Sequence, residues 1–137
     1  MNRVKSSVLT LAAVLLASCA TQPNEREMNY LASALTKVSA AVDATVRYRR
    51  PPESLSEGEL LRASTAHDNQ LLKPFEGMTM RVLRTGRDSA VLVCQPQGKP
   101  LLEDAGCTAK LDVHRWRAAD GGDRCEFTLD VNKVCVR

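Results

Sequence analysis

The sequence is poor in aromatic residues and in histidine. Phe, Tyr and Trp together make up 4% of the 137 residues, and there are two histidines, His67 and His114. A hydrophobic core built from this chain therefore depends on Leu and Val. The sequence also contains no G-x-S-x-G, no H-E-x-x-H and no phosphate-binding glycine loop. These absences argue against an enzyme, and we predict a non-catalytic protein without a metal site or a cofactor.

One long hydrophobic run stands near the N-terminus, behind the basic residues Arg3 and Lys5. It extends from Val8 to Ala17, which is shorter than the roughly 20 apolar residues of a membrane-spanning helix. A basic start, a short apolar run and small residues before a cleavage site are the features of an export signal. No later run in the sequence is long enough to span a bilayer.

The apolar run ends in Leu16-Ala17-Ser18-Cys19, which resembles the lipobox of bacterial lipoproteins. The resemblance covers the first 19 residues and implies cleavage before Cys19, with fatty acyl chains such as palmitate attached to that residue. Each buried methylene contributes about 0.8 kcal/mol, so two or three chains anchor a protein stably. In such lipoproteins an aspartate after the cysteine favours the inner membrane, so Ala20 implies an outer-membrane protein that faces the periplasm. An ordinary secretory signal with an unrelated cysteine is the alternative.

The chain that follows the signal is long enough for one domain. Residues 1–18 contain two basic residues and no acidic ones, so their removal leaves 119 residues and lowers the net charge from +3 to +1. Such a balanced charge gives no reason to expect a nucleic acid as partner. We predict a lipidated tether at residues 19–24 and a single small domain at residues 25–137.

Four cysteines remain once Cys19 is assigned to the anchor, and all lie in the C-terminal third: Cys94, Cys107, Cys125 and Cys135. An even set in the oxidising bacterial envelope predicts two disulfides. A zinc site is the alternative, but there is no C-x-x-C pair and no histidine at ligand spacing.

Four cysteines allow three pairings. We prefer Cys94–Cys107 with Cys125–Cys135, because this pairing closes the shortest loops, each contributing about 3 kcal/mol. It requires a turn near Val131, since an extended chain would hold Cys125 and Cys135 too far apart. A hairpin around residues 118–122 would instead make Cys107–Cys135 feasible.

Two helices are predicted in the N-terminal half, over about residues 25–48 and 57–69. Asn24 with Glu27, and Ser56 with Glu59, have the spacing of a capping box. Apolar residues recur at helical spacing along the first helix: Met28, Leu31, Leu35, Val38, Val42 and Val46. This stripe predicts packing within the same domain, with a partner-docking or coiled-coil face as the alternative.

The hydrophobic period changes to two from about residue 78, which predicts strands. The apolar run 90–94 is typical of a buried strand, while Pro96, Gly98 and Pro100 predict a loop over residues 95–106 with Glu103-Asp104 as its charged tip. Further strands are predicted over about 108–117 and 125–131. The fold class is therefore α+β, an N-terminal helical pair packed on a small antiparallel sheet of three to five strands with two disulfides.

Two aromatic and cationic groups are possible partner contacts. Arg47-Tyr48-Arg49-Arg50 suits anionic lipid headgroups or an acidic protein surface, with complementation of the helix dipole as the alternative. His114 and Trp116 lie near a predicted turn, and each is followed by an arginine, Arg115 and Arg117. An exposed Trp116 would be a binding hot spot, whereas a buried one would only pack the core.

These features together predict a non-catalytic, membrane-anchored lipoprotein that binds or stabilises an envelope protein assembly. The first alternative is an inhibitor of a periplasmic or exogenous hydrolase that acts through a disulfide-held loop such as residues 95–106. A small enzyme is the second alternative. A partner-binding role requires a groove between helices, whereas an inhibitor requires a projecting loop.

Overall fold

The computed structural model describes residues 23–107, 116–119 and 122–135. The signal, the lipobox and most of the predicted tether lie outside these residues. Two helices, α1 (Glu25–Ala44) and α2 (Glu57–Thr65), precede a four-stranded antiparallel sheet, and α1 continues as a π-helical turn over Thr45–Arg49. The strands follow one another across the sheet in chain order: β1 (Thr79–Thr85), β2 (Asp88–Cys94), β3 (Pro100–Ala105) and β4 (Trp116–Ala118). A short helix, α3 (Val131–Val134), lies near the C-terminus, and the predicted α+β class is confirmed.

Both long helices begin where the sequence predicts, because both capping boxes form. The Asn24 side chain accepts a hydrogen bond from the backbone N–H of Glu27 at 3.0 Å, and the Glu27 carboxylate accepts one from the N–H of Asn24 at 3.1 Å. Ser56 and Glu59 exchange the same pair of bonds. Helix α2 ends at Thr65, earlier than the predicted residue 69. Shortly after its end, the Asp68 carboxylate accepts a hydrogen bond from the backbone N–H of Gln70 in a turn.

The apolar stripe of α1 forms the centre of the main core. Leu35, Val38 and Val42 are completely buried, in one cluster with Val91 and Val93 of β2. Burying one such side chain contributes about 1.5–3 kcal/mol. The stripe is therefore occupied within its own domain and does not form the coiled-coil face that was its alternative.

Strand β3 corrects the predicted loop over residues 95–106. Only Gln95 to Lys99 forms a turn, in which Gly98 has a φ of 94° and the Gln95 N–H donates to the Lys99 carbonyl at 2.8 Å. Residues 100–105 are a central strand that is buried along its whole length. Pro100 is tolerated because it is the first residue of the strand. The charged pair Glu103-Asp104 is thus inside the domain, 1% and 3% exposed, and forms no loop tip.

The C-terminal segment, residues 122–135, lies on the face of the sheet opposite α1. Val91 packs toward α1, whereas its neighbour Ala90 packs with Val131, Phe127 and Leu129, as expected from the alternation of side chains along a strand. The predicted alternation over 125–131 is present, since half-buried residues alternate with exposed ones up to the buried Val131. The predicted strand is wrong, because these residues lie across the sheet instead of pairing at its edge. Residues 108–115 of the strand predicted over 108–117 lie outside the described residues, and Trp116 and Arg117 belong to β4.

Two disulfides fasten the C-terminal segment to the sheet, as Cys94–Cys125 and Cys107–Cys135, with Cα–Cα distances of 5.8 and 5.7 Å. The prediction of two disulfides is confirmed, and the preferred pairing Cys94–Cys107 with Cys125–Cys135 is wrong. Strand β3 is the reason, because it separates Cys94 from Cys107 by roughly 20 Å at 3.3 Å per residue. The turn predicted near Val131 exists as α3, but it directs Cys135 toward Cys107.

Candidate partner-binding groove

A groove runs along α1, between this helix and the chain that leads from α2 to β1. It consists of two adjoining clefts, of about 590 and 350 Å³, which share Lys37 and Leu71. The α1 wall carries mostly small side chains between two tyrosines: Tyr30, Ser33, Ala34, Lys37, Ala40, Ala41, Ala44, Thr45, Tyr48 and Arg49. The opposite wall is formed by Ser64, His67, Asp68, Gln70, Leu71 and Pro74. We call this surface the helix groove.

An exposed tyrosine stands at each end of the helix groove. Tyr30 is 62% exposed and Tyr48 is 75% exposed. They are 18 residues apart in sequence, and each lines one of the two clefts of the groove. Among the residues whose side-chain burial is described, Val134 is the one other large hydrophobic residue that is exposed. Tyrosines with an apolar ring and a polar tip are enriched at protein interfaces.

The structure divides the predicted cluster Arg47-Tyr48-Arg49-Arg50 between two roles. Tyr48 and Arg49 line the helix groove, and Arg50 is exposed beyond it, with a left-handed φ of 48°. The Arg47 guanidinium instead binds the carboxylates of Asp43 and Asp88, each at 2.8 Å. Arg47 therefore ties the end of α1 to the start of β2.

The two carboxylates beside Arg47 also shift its pKa. Burial would lower the pKa of Arg47, but the hydrogen bond to Asp43 and the charges of Asp43 and Asp88 raise it above its ordinary value. The Nε and Nη2 groups of Arg47 are both engaged by these carboxylates, which fixes the orientation of its guanidinium. Arg47 is therefore a structural residue, and the part of the cluster open to a partner is Tyr48 to Arg50.

The charge of the helix groove changes along its length. The cleft next to Tyr48 is lined by Lys37, Arg49 and His67, and no carboxylate is among its lining residues. Within the described part of the chain, neither Lys37 nor Arg49 has an ion-pair partner. The cleft next to Tyr30 contains Asp68 besides Lys37. The end at Tyr48 is therefore basic, and the end at Tyr30 is mixed.

On the face of the sheet opposite α1, the buried carboxylate of Glu103 binds the C-terminal segment, a contact that the sequence does not predict. Glu103 accepts hydrogen bonds from the backbone N–H groups of Thr128 at 2.9 Å and Leu129 at 3.2 Å, and from the Thr128 hydroxyl. A buried carboxylate requires such donors to offset the loss of water. Since these donors lie 25 residues away in sequence, no local pattern around Glu103 predicts the contact.

The free edge of β1 is covered by residues before and within α2. The Glu57 carboxylate accepts the N–H of Val82 at 2.9 Å and binds the Arg81 guanidinium at 2.8 Å. Arg84 donates to the carbonyl of Pro51 at 2.8 Å. The hydrogen bond from Arg81 lowers the pKa of Glu57, partly offset by burial, and the Val82 N–H lowers it further. This edge is therefore blocked for a strand from another chain.

The remaining predicted contact residues are described in part or not at all. His114 lies outside the described residues, and Trp116 is placed by its backbone, paired with Asp104 in the sheet.

The described ranges contain no cluster of three or more His, Cys, Asp or Glu residues that could hold a metal ion. None of the helices in those ranges has the length and apolar character needed to cross a membrane. Comparisons with protein-family models, curated proteins and solved structures found no match for this chain.

Proposed function

We propose that this chain is a non-catalytic, lipid-anchored envelope protein that binds a partner protein through the helix groove. The observation that carries the proposal is the groove itself, with an exposed tyrosine at each end and a basic cleft beside Tyr48. Interfaces are enriched in tyrosine and arginine, and their hot spots lie in well-packed pockets from which water is excluded. Both residue types are present here on one helix face.

The fold favours this role over inhibition by a disulfide-held loop. The segment that would have supplied the loop is mostly β3, which is buried. Its remaining turn, residues 95–99, is short, and Gln95 at its start is 7% exposed. A loop that enters an active site must project from its scaffold, and residues 95–106 do not.

The two disulfides support export to an oxidising compartment, where such bonds form and persist. The anchor at Cys19 remains part of the proposal. If it is present, the tether before α1 is about six residues long and extends at most about 20 Å. The helix groove would then stay close to the membrane surface, within reach of an envelope assembly.

Site-specific photo-crosslinking in cells tests the binding role. A benzoylphenylalanine residue is placed at Tyr48, at Tyr30 and, as a matched control, at Arg87, which is exposed in the turn between β1 and β2. We expect one defined adduct from both tyrosine positions and none from Arg87. Absence of an adduct at both tyrosines, or the same set of adducts at all three positions, would contradict the proposal.

Metabolic labelling tests the anchor separately. A radiolabelled fatty acid should be incorporated into the wild-type protein, and the substitution Cys19→Ala should abolish the incorporation. Cys107→Ala is the control, because Cys107 is bonded to Cys135 and should not affect acylation. Labelling that survives Cys19→Ala would eliminate the proposed anchor without affecting the proposed groove.

A further inference from the structure

We infer that the occupant of the helix groove is an acidic amphipathic helix of the partner protein. This inference rests on the proposed function and specifies the chemistry of the partner. The partner helix has about five turns, and its apolar face lies on the small side chains of α1. Its acidic residues are concentrated at the end that meets Tyr48.

The charges of the groove select an acidic occupant. Lys37 and Arg49 line the cleft beside Tyr48, and the residues that line it include no carboxylate to balance their charges. Arg50 adds an exposed charge just beyond this cleft. Like charges brought together at an interface repel each other, so a basic segment is disfavoured at this end. At the other end of the groove, near Tyr30, the negative charge of Asp68 offsets the preference for an acidic segment.

The shape of the groove selects a helix. Ala40, Ala41 and Ala44 follow one another at helical spacing on the α1 wall. Small side chains at such positions let two helices approach to an interaxial distance of about 8–10 Å. The two tyrosines are 18 residues apart along α1 and its π-helical continuation, so a partner helix of similar length spans the groove.

The other common mode of peptide binding, addition of a strand to a sheet edge, is blocked at β1. The outward N–H of Val82 already donates to Glu57, and the Arg84 side chain is bonded to the chain at Pro51. The opposite face of the sheet is occupied by the C-terminal segment and its two disulfides. The helix groove therefore fits the helix-in-groove mode of recognition.

Identification of the segment crosslinked from Tyr48 and Tyr30 tests the inference directly. Mass spectrometry of the adducts should return a partner segment with a helical hydrophobic period and a net negative charge, its acidic residues nearer the Tyr48 crosslink. A basic segment, or one with the period of a strand, would overturn the inference while leaving the proposed function intact. Absence of any specific adduct would instead overturn the proposed function.

Charge reversal provides the second measurement, on the full chain in mild detergent. The probes are fluorescent 18-residue peptides with alternating Ala and Leu on one helix face and Glu on the other, and a matched peptide with Lys in place of Glu. Fluorescence anisotropy should show binding of the Glu peptide. Binding should weaken about tenfold or more in the double variant Lys37→Glu and Arg49→Glu, and the Lys peptide should then bind better than the Glu peptide.

The matched control is Arg87→Glu, which makes a charge reversal at an exposed residue outside the groove. It should leave the affinity for the Glu peptide within about twofold of wild type. Equal effects of Arg87→Glu and the double variant would show that only overall charge matters and would overturn the inference. Equal binding of the Glu and Lys peptides to the wild-type protein would overturn it as well.

Discussion

Glu103 on β3 and Thr128 in the C-terminal segment are joined twice, because the buried carboxylate accepts both the backbone N–H and the hydroxyl of Thr128. The contact lies between the two disulfides along the C-terminal segment. It therefore holds the middle of a segment whose ends are already held covalently. Two disulfides and the hydrogen bonds to Glu103 thus hold this segment against the sheet in place of strand pairing.

Replacing Glu103 by Gln should lower the free energy of unfolding by about 1.5–3 kcal/mol. The amide keeps one acceptor oxygen, but it loses the charge and turns an NH₂ group toward buried donors. Urea denaturation of the oxidised protein measures the difference. Glu126→Gln is the control, since its side chain is 69% exposed, and it should change stability by less than about 0.5 kcal/mol. Equal effects of the two substitutions would show that the buried contact adds nothing.

Removing one disulfide should be costly, because each closes a long loop. The sequence separations are 31 residues for Cys94–Cys125 and 28 for Cys107–Cys135. The chain-entropy relation gives about 3.6 kcal/mol for either bond. The pair variants Cys94→Ser with Cys125→Ser, and Cys107→Ser with Cys135→Ser, should each lose stability of this order in thermal unfolding.

The pairing itself can be read from peptides of the unreduced protein. Proteolysis without reduction should release disulfide-linked fragments that join Cys94 to Cys125 and Cys107 to Cys135. A fragment that joins Cys94 to Cys107 would contradict the arrangement of β2 and β3 described above.

Gly106→Ala should destabilise the domain by about 1–3 kcal/mol, the usual cost of overpacking. A Cβ at this position would lie 2.4 Å from the Cβ of Asp43 and 3.0 Å from the carbonyl oxygen of Ser39. Helix α1 and the end of β3 would then have to move apart. Gly58→Ala is the matched control, because its Cβ would meet only the end of the Arg62 side chain, at 3.5 Å. That substitution should be neutral or stabilising by about 0.5–1 kcal/mol, and a similar loss at both positions would contradict the close approach.

The ion pair between Glu57 and Arg81 should make stability depend on pH. Because the pKa of Glu57 is lowered in the folded protein, its contribution is fully present above the ordinary pKa of about 4.3 and is lost as the pH falls through the lowered value. Glu57→Gln should therefore reduce stability at pH 7, and the difference from wild type should vanish in acid. Partial exposure limits the effect to less than about 1 kcal/mol.

Urea denaturation between pH 3 and pH 7 measures this dependence. Glu53→Gln is the control, because Glu53 is exposed in the turn before α2, and its variant should follow the wild-type curve. A difference between Glu57→Gln and wild type that persists unchanged at low pH would show that the ion pair is not the cause.

The helices and the first hairpin were predictable because their signals are local. Asn24 and Ser56 each find their capping partner three residues later, and the apolar stripe of α1 has the period of a helix. The alternation before Gly86 and the apolar run 90–94 likewise became β1 and β2, paired in register across the turn. In each case the pattern that predicts the element is itself local, even where the element packs against a distant part of the chain, as α1 packs against β2.

The second half was less predictable because its determinants are distant in sequence. Glu103 looked like part of a loop, since its hydrogen-bond donors come 25 residues later. The alternation over 125–131 correctly predicts which side chains are buried, but a segment lying across a sheet has the same period as a strand within one. The preferred disulfides followed from loop length alone, an argument that takes no account of strand β3, which separates Cys94 from Cys107.

The helix groove was predictable only at its end. Tyr48 and Arg49 stood out as an aromatic and a cation near a helix terminus, whereas Tyr30 and the alanines between them carried no signal of their own. Their significance depends on the second wall, which includes His67 and Leu71. The position of that wall depends on how α2 packs against α1, which no pattern in either helix specifies.

The two disulfides are interleaved, since the first cysteine joins the third and the second joins the fourth. In a chain exported from its N-terminus, Cys94 and Cys107 would meet an oxidant before Cys125 has emerged, and oxidation in order of appearance would join the wrong pair. Folding of β2 and β3 prevents this by holding the two thiols roughly 20 Å apart. The native bonds therefore require either that the sheet forms before oxidation or that a misplaced bond is exchanged by attack of a later thiolate. On the first of these routes, the β2–β3 hairpin is the template for oxidation of the chain that follows it.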